Sequence, residues 1–425
     1  MTQILGMSLP SHWGTAPLKH VTSFLNRGST PAYVDNGPVR AIGQAANQHT
    51  GLDWERTRFH DYQGDVTKLK ARLHRDDVII NSTGTGTLGR VGYFEGDLDG
   101  IPSMADSHIT VARFLSELVH PRYSYYWMRS RIFQEYIYAA LTVGATNQIE
   151  LNRDRLSSAP IPLPSLESQR RIADFLDAET ARIDRAGEAM RRQVSALTER
   201  RIQVLDGIWP TLEVPMKRLG YGTQLVTSGS RGWADFVGDF GSLFFRSANL
   251  RRDSLQPNLT SLSYVQPPSS VAAEAARSRI SKDDVLVGIT GANTGWTTLA
   301  DDSVKGGNVS QHVCMVRPTP GEIYGRWLAY LIASPTIQSG LIGSQYGGTK
   351  TQLSLPDIRN LRIPVVPIST QKRIAAEVDA LLEILDKQRE LRNRQLGVLA
   401  ERRQALITAA VTGQIDISTA NGRGI

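Results

Sequence analysis

The chain has 425 residues, 40% hydrophobic and 21% charged, which excludes a disordered polymer and predicts two or three cored domains at roughly 150 residues each. No run approaches the roughly 18 apolar residues of a membrane span, and Met1–Pro10 lacks the basic and apolar regions of a secretory signal, so the cytoplasm is the expected compartment. Lys and Arg number 48 against 41 Asp and Glu, a charge of +7 that suits a polyanion partner without requiring one, and a lone Cys314 excludes both an intrachain disulfide and a cysteine zinc site.

In chain order, Asp77-Val78-Ile79-Ile80 reads as a buried strand entering a Ser/Thr/Gly loop, and Arg90-Val91-Gly92-Tyr93-Phe94 as a second strand. Tyr123 to Leu141 has helical spacing with aromatics on one side. From 168 to 206 the apolar positions Ile172, Leu176, Ile183, Ala186, Met190, Leu197 and Val204 are spaced in steps that sum to sevens, with Ser165 and Ser168 as candidate N-caps. Asp284-Val285-Leu286-Val287 and His312-Val313-Cys314-Met315-Val316 read as strands, and Ile323 to Ile342 as a helix. A second heptad run follows, with Ile374, Val378, Leu381, Leu385, Leu391, Leu399 and Leu406 on its stripe and Ser369 or Thr370 as the cap. Each run of about 38 residues would span ~57 Å as a helix, and a mutual antiparallel pair is expected over two separate amphipathic helices.

The two halves are copies. Ile161-Pro162, Gln169-Arg170-Arg171-Ile172-Ala173 and Glu199-Arg200-Arg201 recur at an offset of 202 as Ile363-Pro364, Gln371-Lys372-Arg373-Ile374-Ala375 and Glu401-Arg402-Arg403. Asp177/Asp379 and Asp184/Asp386 keep the same offset. The preceding segments match more faintly: Arg72 and Asp76-Asp77-Val78-Ile79 with Arg279 and Asp283-Asp284-Val285-Leu286, Thr83-Gly84 with Thr290-Gly291, and His108…Arg113 with His312…Arg317. Tyr126, Ser130, Gln134, Gln148 and Leu151 align with Tyr330, Ser334, Gln338, Gln352 and Leu355. The chain therefore reads as unit, connector, unit, connector, with boundaries at 1–164, 165–209, 210–367 and 368–425. Between 165 and 206 eight acidic residues balance eight basic ones, so the positive excess lies mostly outside that connector.

Most catalytic motifs fail. Gly84-Thr85-Gly86-Thr87-Leu88-Gly89 is a literal G-x-G-x-x-G, but a dinucleotide site needs a helix next, and an alternating strand pattern follows. Arg90-Val91 stands where a P-loop needs Lys-Ser/Thr. The methyltransferase Asn/Asp-Pro-Pro-aromatic motif and H-E-x-x-H are missing. His108 and His312 read as structural histidines beside strands, and Cys314 as core.

What remains are polar loops of the composition that reads nucleic acid. Ser82, Thr83, Thr85 and Arg90 in one unit, and Thr290, Asn293 and Thr294 in the other, offer groups that can approach a duplex. Asn147 and Gln148 match Lys350, Thr351 and Gln352 after a helix, and Arg40 and Gln44 match Arg246 and Asn249 approximately. Arg pairs bidentately with guanine, and Asn or Gln with adenine.

The order unit, Ile-Pro…Gln-Arg-Arg-Ile-Ala helix, unit, Ile-Pro…Gln-Lys-Arg-Ile-Ala helix resembles the specificity subunit of type I restriction-modification enzymes. Asp76-Asp77-Val78-Ile79…Gly89-Arg90-Val91 and Val411-Thr412-Gly413-Gln414-Ile415 are similar to that family's pattern too. The resemblance covers essentially the whole chain, most strongly in the connectors. It implies a mixed α/β fold with two globular target recognition domains, joined by two long antiparallel coiled-coil helices and related as a pseudo-twofold internal repeat. Each domain would read one half of a bipartite, asymmetric double-stranded DNA site. The helices would set the spacer and dock two methyltransferase subunits, with Ile172, Leu176, Ile183, Met190, Leu197, Ile374, Val378, Leu385 and Leu399 forming the coil and partner interface. The chain itself would be non-catalytic and hold neither cofactor nor metal. S-adenosylmethionine would belong to the adenine-methylating partners, ATP and Mg²⁺ to the endonuclease subunits. Gly295-Trp296 departs from the family's usual Gly-Arg and puts a phosphate contact there in doubt. Other readings stay open: a nucleotide-dependent enzyme using the Ser82–Arg90 loop, separable by cofactor affinity, a coiled-coil scaffold whose units bind protein, separable by mobility shift with random duplexes, and another DNA-binding adaptor without a restriction role.

Overall fold

Val78-Ile79-Ile80 is apolar at every position, and a strand buries every side chain only when both of its faces are covered. The computed structural model describes residues 3–84, 86–143, 149–209, 213–229, 231–343 and 352–417. In it Val78 and Ile80 face a helix-covered core, while Ile79 faces a second sheet.

The chain divides into two compact units, Met1–Met190 with Arg394–Ile425, and Arg191–Asn393. Unit 1 holds strands β1 (Thr22–Arg27), β2 (Tyr33–Val34), β3 (Val39–Ile42), β4 (Arg58–His60), β5 (Val78–Asn81), β6 (Val91–Tyr93), β7 (Ser103–Ala105) and β8 (Ile109–Phe114). They form two four-stranded sheets in the orders β6-β5-β8-β1 and β7-β3-β4-β2. Only β7 with β3 is a parallel pair. Ile42, Ile79, Ala105, Ile109 and Val111 fill the space between the sheets. On the far face, Val78, Ile80 and Val91 pack with Tyr123, Trp127 and Phe133.

Unit 2 repeats this strand for strand. Its β9 (Thr223–Ser228), β10 (Val237–Gly238), β11 (Ser242–Phe245), β12 (Tyr264–Val265), β13 (Val285–Gly288), β14 (Thr297–Leu299), β15 (Asn308–Val309) and β16 (Val313–Pro318) give the orders β14-β13-β16-β9 and β15-β11-β12-β10. Again one pair, β15 with β11, is parallel. The internal repeat is thus one of topology, and the mainly antiparallel sheets exclude a doubly wound fold.

One buried ion pair ties each main sheet together. Arg113 Nε and Nη2 donate to the two oxygens of Asp77 at 2.8 Å each, and Arg317 repeats this on Asp284 at 2.8 and 2.7 Å. Both carboxylates are buried and also accept a loop N–H, from His74 in unit 1 and Ser281 in unit 2. The Arg-Asp-Arg pattern shared by the two copies is this node, since Arg113 and Arg317 also donate to the carbonyls of Arg72 and Arg279.

Several local expectations shift. The helix expected over Tyr123–Leu141 breaks at Ser130, whose backbone is extended and whose hydroxyl accepts from Phe133 N–H. Gly325–Ala333 and Pro335–Gly343 break likewise at Ser334. The first long helix spans Leu166–Asp206 behind Ser165, whose hydroxyl accepts from Ser168 N–H at 3.2 Å. The second spans Ile368–Val411, so Ser369 and Thr370 lie inside its first turn rather than capping it.

Within unit 1, Ile172 and Leu176 from the start of the first long helix share a core with Ile407, Ala410 and Val411 from the end of the second. Within unit 2, Val204 and Leu205 at the end of the first, with Ile208 just past it, share one with Ala375, Val378 and Leu382 at the start of the second. The helices therefore meet in opposite chain directions. Ile183 and Val378 are buried, while Met190, Leu197, Ile374, Leu385 and Leu399 are half-buried. Leu381 and Leu391 leave the expected stripe: they are 50% and 51% exposed, and Leu382 is buried instead. At this end of the helix Ala375, Val378, Leu382 and Leu385 follow the domain core, which replaces Leu381 by its neighbour, whereas Leu391 lies beyond that core.

Candidate nucleic-acid interface

In each unit the polar loop turns a strand back on itself. Asn81 N–H donates to Arg90 carbonyl and Gly89 N–H to Asn81 carbonyl, closing β5 onto β6 around residues 82–89. Gly288, Trp296 and Gly295 repeat those bonds in unit 2 around 289–295, a loop one residue shorter. Gly89 and Gly295 sit at φ +77° and +84°, a conformation that favours glycine. A strand, not a helix, follows Gly89 and Gly295, so the chain leaving the glycines does not supply the helix N-terminus that a dinucleotide fingerprint needs.

The loop is clasped to the start of the neighbouring strand. Thr83 Oγ1 and His108 Nδ1 share a hydrogen bond of 2.8 Å, and Thr290 Oγ1 and His312 Nδ1 one of 2.7 Å. The shared role of the two histidines is this clasp. In unit 1 Gln44 Oε1 accepts from the hydroxyls of Thr83 and Thr87, both at 3.4 Å. In unit 2 Asn293 Nδ2 donates to Ser247 carbonyl at 2.8 Å, and Thr294 Oγ1 to Gly291 carbonyl at 2.7 Å.

Positive charge gathers beside the unit 1 loop. Arg90 Nη1 donates to Asn47 carbonyl and Gln48 Oε1 at 2.9 and 3.2 Å, and Arg129 Nη2 to His49 carbonyl at 3.1 Å. Burial first, then Arg90, Arg129 and Arg403, hold the His49 imidazole below its ordinary value, so it stays neutral near pH 7. Unit 2 has Trp296 at the place of Arg90, packed against the core between its sheets, and the departure noted in the sequence removes a guanidinium there.

Three expected contacts turn inward. Arg40 lies on β3, donates to Thr57 Oγ1 at 2.9 Å and stacks over Phe59. The Ser82 hydroxyl is buried on that of Thr110, 2.5 Å away. Asn249 accepts from Arg246 N–H and donates to the carbonyls of Asn258 and Ser261. These three side chains are buried and belong to the fold. Gln352 is exposed and its backbone bridges Thr290. Thr85, Asn147, Gln148, Lys350 and Thr351 lie outside the described residues.

Backbone bonds also correct two alignments. Leu151 N–H donates to Ser82 carbonyl as Leu353 N–H does to Ile289 carbonyl, so Leu151 corresponds to Leu353, not Leu355. Asp106 N–H donates to Ile42 carbonyl as Ser310 N–H does to Phe245 carbonyl, which aligns Gly43, not Arg40, with Arg246. Sequence reasoning missed Tyr33 and Asp106, which join the clasp from the second sheet: Tyr33 OH donates to Asp106 Oδ2 at 3.2 Å, and Asp106 Oδ1 accepts from His108 N–H at 2.8 Å. Aligning on the histidines exposes Asp106 against Ser310. Nothing local marks Tyr33.

Comparison with known proteins converges on one family. The type I restriction modification DNA specificity domain model matches residues 13–187 and 272–394. The chain is 21% identical over 419 residues to the type I restriction enzyme EcoBI specificity subunit of Escherichia coli, covering 88% of this chain and 85% of the relative. It is 18% identical over 445 residues to the putative type I restriction enzyme MjaX specificity subunit of Methanocaldococcus jannaschii, covering 97% and 95%. In fold it is similar to a chain from a study of complex assembly and conformational transition of the type I R-M system, at a TM-score of 0.77, 19% identity and 96% and 100% coverage. It is also similar to the HsdS subunit from Thermoanaerobacter tengcongensis, at a TM-score of 0.54, 19% identity and 96% and 99% coverage. The duplicated sheet domains, the two long helices and the extent of the match lead to one conclusion: this chain belongs to the type I restriction modification DNA specificity family.

Proposed function

We propose that this chain is the sequence-reading, non-catalytic subunit of a type I restriction-modification complex. Each sheet domain reads one half of a bipartite, asymmetric duplex sequence, and the long helices set the spacer between the halves. The observation that carries this is the duplicated loop clasp: the same Thr–His bond on the same topology, surrounded by different side chains in the two units. A shared frame lets both units dock on DNA alike, and unlike side chains let the half-sites differ. The cationic surround of His49 suits phosphate.

The helices serve two methyltransferase subunits. Leu381, Ile384 and Leu391, each half exposed or more on the second long helix, suit partner contact better than water. Adenine methylation, with S-adenosylmethionine, takes place on those partners after base flipping, and ATP and Mg²⁺ act in endonuclease subunits. The compartment is the cytoplasm. Among the described residues no helix is long and apolar enough to cross a membrane.

Selection of the full chain with its partners on a random duplex pool tests this. A two-part consensus with a fixed gap, and affinity falling steeply with salt, is the expected result. Binding without any enriched sequence would leave a scaffold and overturn the reading.

A further inference from the structure

At one place the two units carry opposite charge. His108 and His312 are preceded, two residues earlier, by Asp106 and Ser310, which hang from the ends of β3 and β11 by equivalent backbone bonds of 3.0 and 2.8 Å. The residue after each strand is Gly43 in unit 1 and Arg246 in unit 2. A Cβ on Gly43 would lie 2.5 Å from Asp106 Oδ2, so the carboxylate fills the space a side chain there would need. Where the acid shrinks to Ser310, the chain carries Arg246. Glycine goes with aspartate, and arginine with serine.

The hydrogen-bonding character inverts with the charge. Asp106 is 3% exposed, and its oxygens are taken by His108 N–H and Tyr33 OH. Burial and then the Asp106 charge push the Tyr33 phenol up to about 12, so it keeps its proton. That proton points at Asp106, and the phenol oxygen, on a residue 38% exposed, can only accept from outside. Arg58 stacks 3.8 Å over the Tyr33 ring and holds it. In unit 2 the register of β10 on β12 places Val237 where Tyr33 stands, so the phenol has no counterpart; the hydroxyl there is that of Ser310, which accepts from His312 N–H at 3.4 Å. Arg246 offers only donors, and its Nε is buried without a hydrogen-bond partner among the described residues.

We propose that Tyr33, oriented by Asp106, and Arg246 are specificity-determining residues of the two half-sites. Unit 1 presents an acceptor that selects the exocyclic amino group of cytosine or adenine, and unit 2 a guanidinium fork that selects the O6/N7 edge of guanine. This rests on the reading of both units as DNA-reading heads. It places a guanine in the unit 2 half-site and an amino-bearing base in the unit 1 half-site.

The test repeats the duplex selection with Tyr33→Phe, Arg246→Gln and Arg246→Lys in the full chain with its partners. Tyr33→Phe is expected to lose preference at one base pair of one half-site, and Arg246→Gln at one guanine of the other. Each loss should be on the order of tenfold to a hundredfold, with every other position kept. Arg246→Lys, which keeps the charge without the fork, should lose part of the preference. Tyr33→Phe and Arg246→Gln both enriching the wild-type consensus unchanged would overturn this assignment alone. So would an Arg246→Gln chain weakened equally on all sequences with a shallower salt slope, since that marks a phosphate contact. A wild-type chain enriching no consensus would sink the DNA-reading function itself, and this assignment with it.

Discussion

Arg201 Nη1 donates to both oxygens of Asp386, at 3.1 and 3.3 Å, inside unit 2, and Arg403 Nε donates to Asp184 at 3.1 Å inside unit 1. The four residues are two repeat pairs, Arg201 with Arg403 and Asp184 with Asp386. Each arginine bonds the aspartate of the other copy, as self-complementary pairing of two like helices in opposite directions requires.

Arg201→Ala and Asp386→Ala should therefore be coupled. Their double variant is expected to lose about 0.5–1 kcal/mol less than the two single losses combined, because Asp386 is partly solvated and a surface-facing pair is weak. Denaturant midpoints of the four chains measure it, and strict additivity would show that the pair contributes nothing.

A larger loss is expected inside the sheet. Asp77→Asn leaves Arg113 beside a neutral partner in a site where the Asp77 side chain has no exposure, and should destabilise unit 1 by about 3–5 kcal/mol. Asp284→Asn should do the same to unit 2. Limited proteolysis with mapped fragments will show which unit opens; resistance equal to wild type in both variants contradicts the node.

Gly28 and Gly229 mark where the first strand of each main sheet passes the second sheet. A Cβ on Gly28 would lie 2.1 Å from Asp106 carbonyl oxygen, and one on Gly229 1.9 Å from Val309 carbonyl oxygen. Alanine at either position forces the backbone apart, for a loss of about 1–3 kcal/mol. Hydrogen exchange should report the loosening in the substituted unit only.

Asp106 gives a pH signature. Burial raises its carboxyl above the ordinary 3.8, outweighing the hydrogen bonds that favour the anion. The folded state then holds the proton more tightly than the unfolded chain, so this group's contribution to stability falls as pH rises from about 3.8 through the raised value. Asp106→Asn lacks that fall. The stability difference between variant and wild type should move toward the variant over this window and stay flat above it, as thermal melts across a pH series will show.

Much of the architecture is legible in the chain itself. The offset of 202, the heptad runs and the apolar Val78-Ile79-Ile80 and Val285-Leu286-Val287 strands predict two like α/β units and two long helices. Periodicity is a local property, and a duplicated chain repeats it visibly. Partners distant in sequence are another matter. That Leu382 rather than Leu381 turns inward, that Leu151 answers Leu353, and that Gly43 makes room for Asp106 were decided only by the tertiary structure. Each depends on which atoms meet across long stretches of chain, and hydrogen-bond geometry and excluded volume settle that only once the backbone has closed around them.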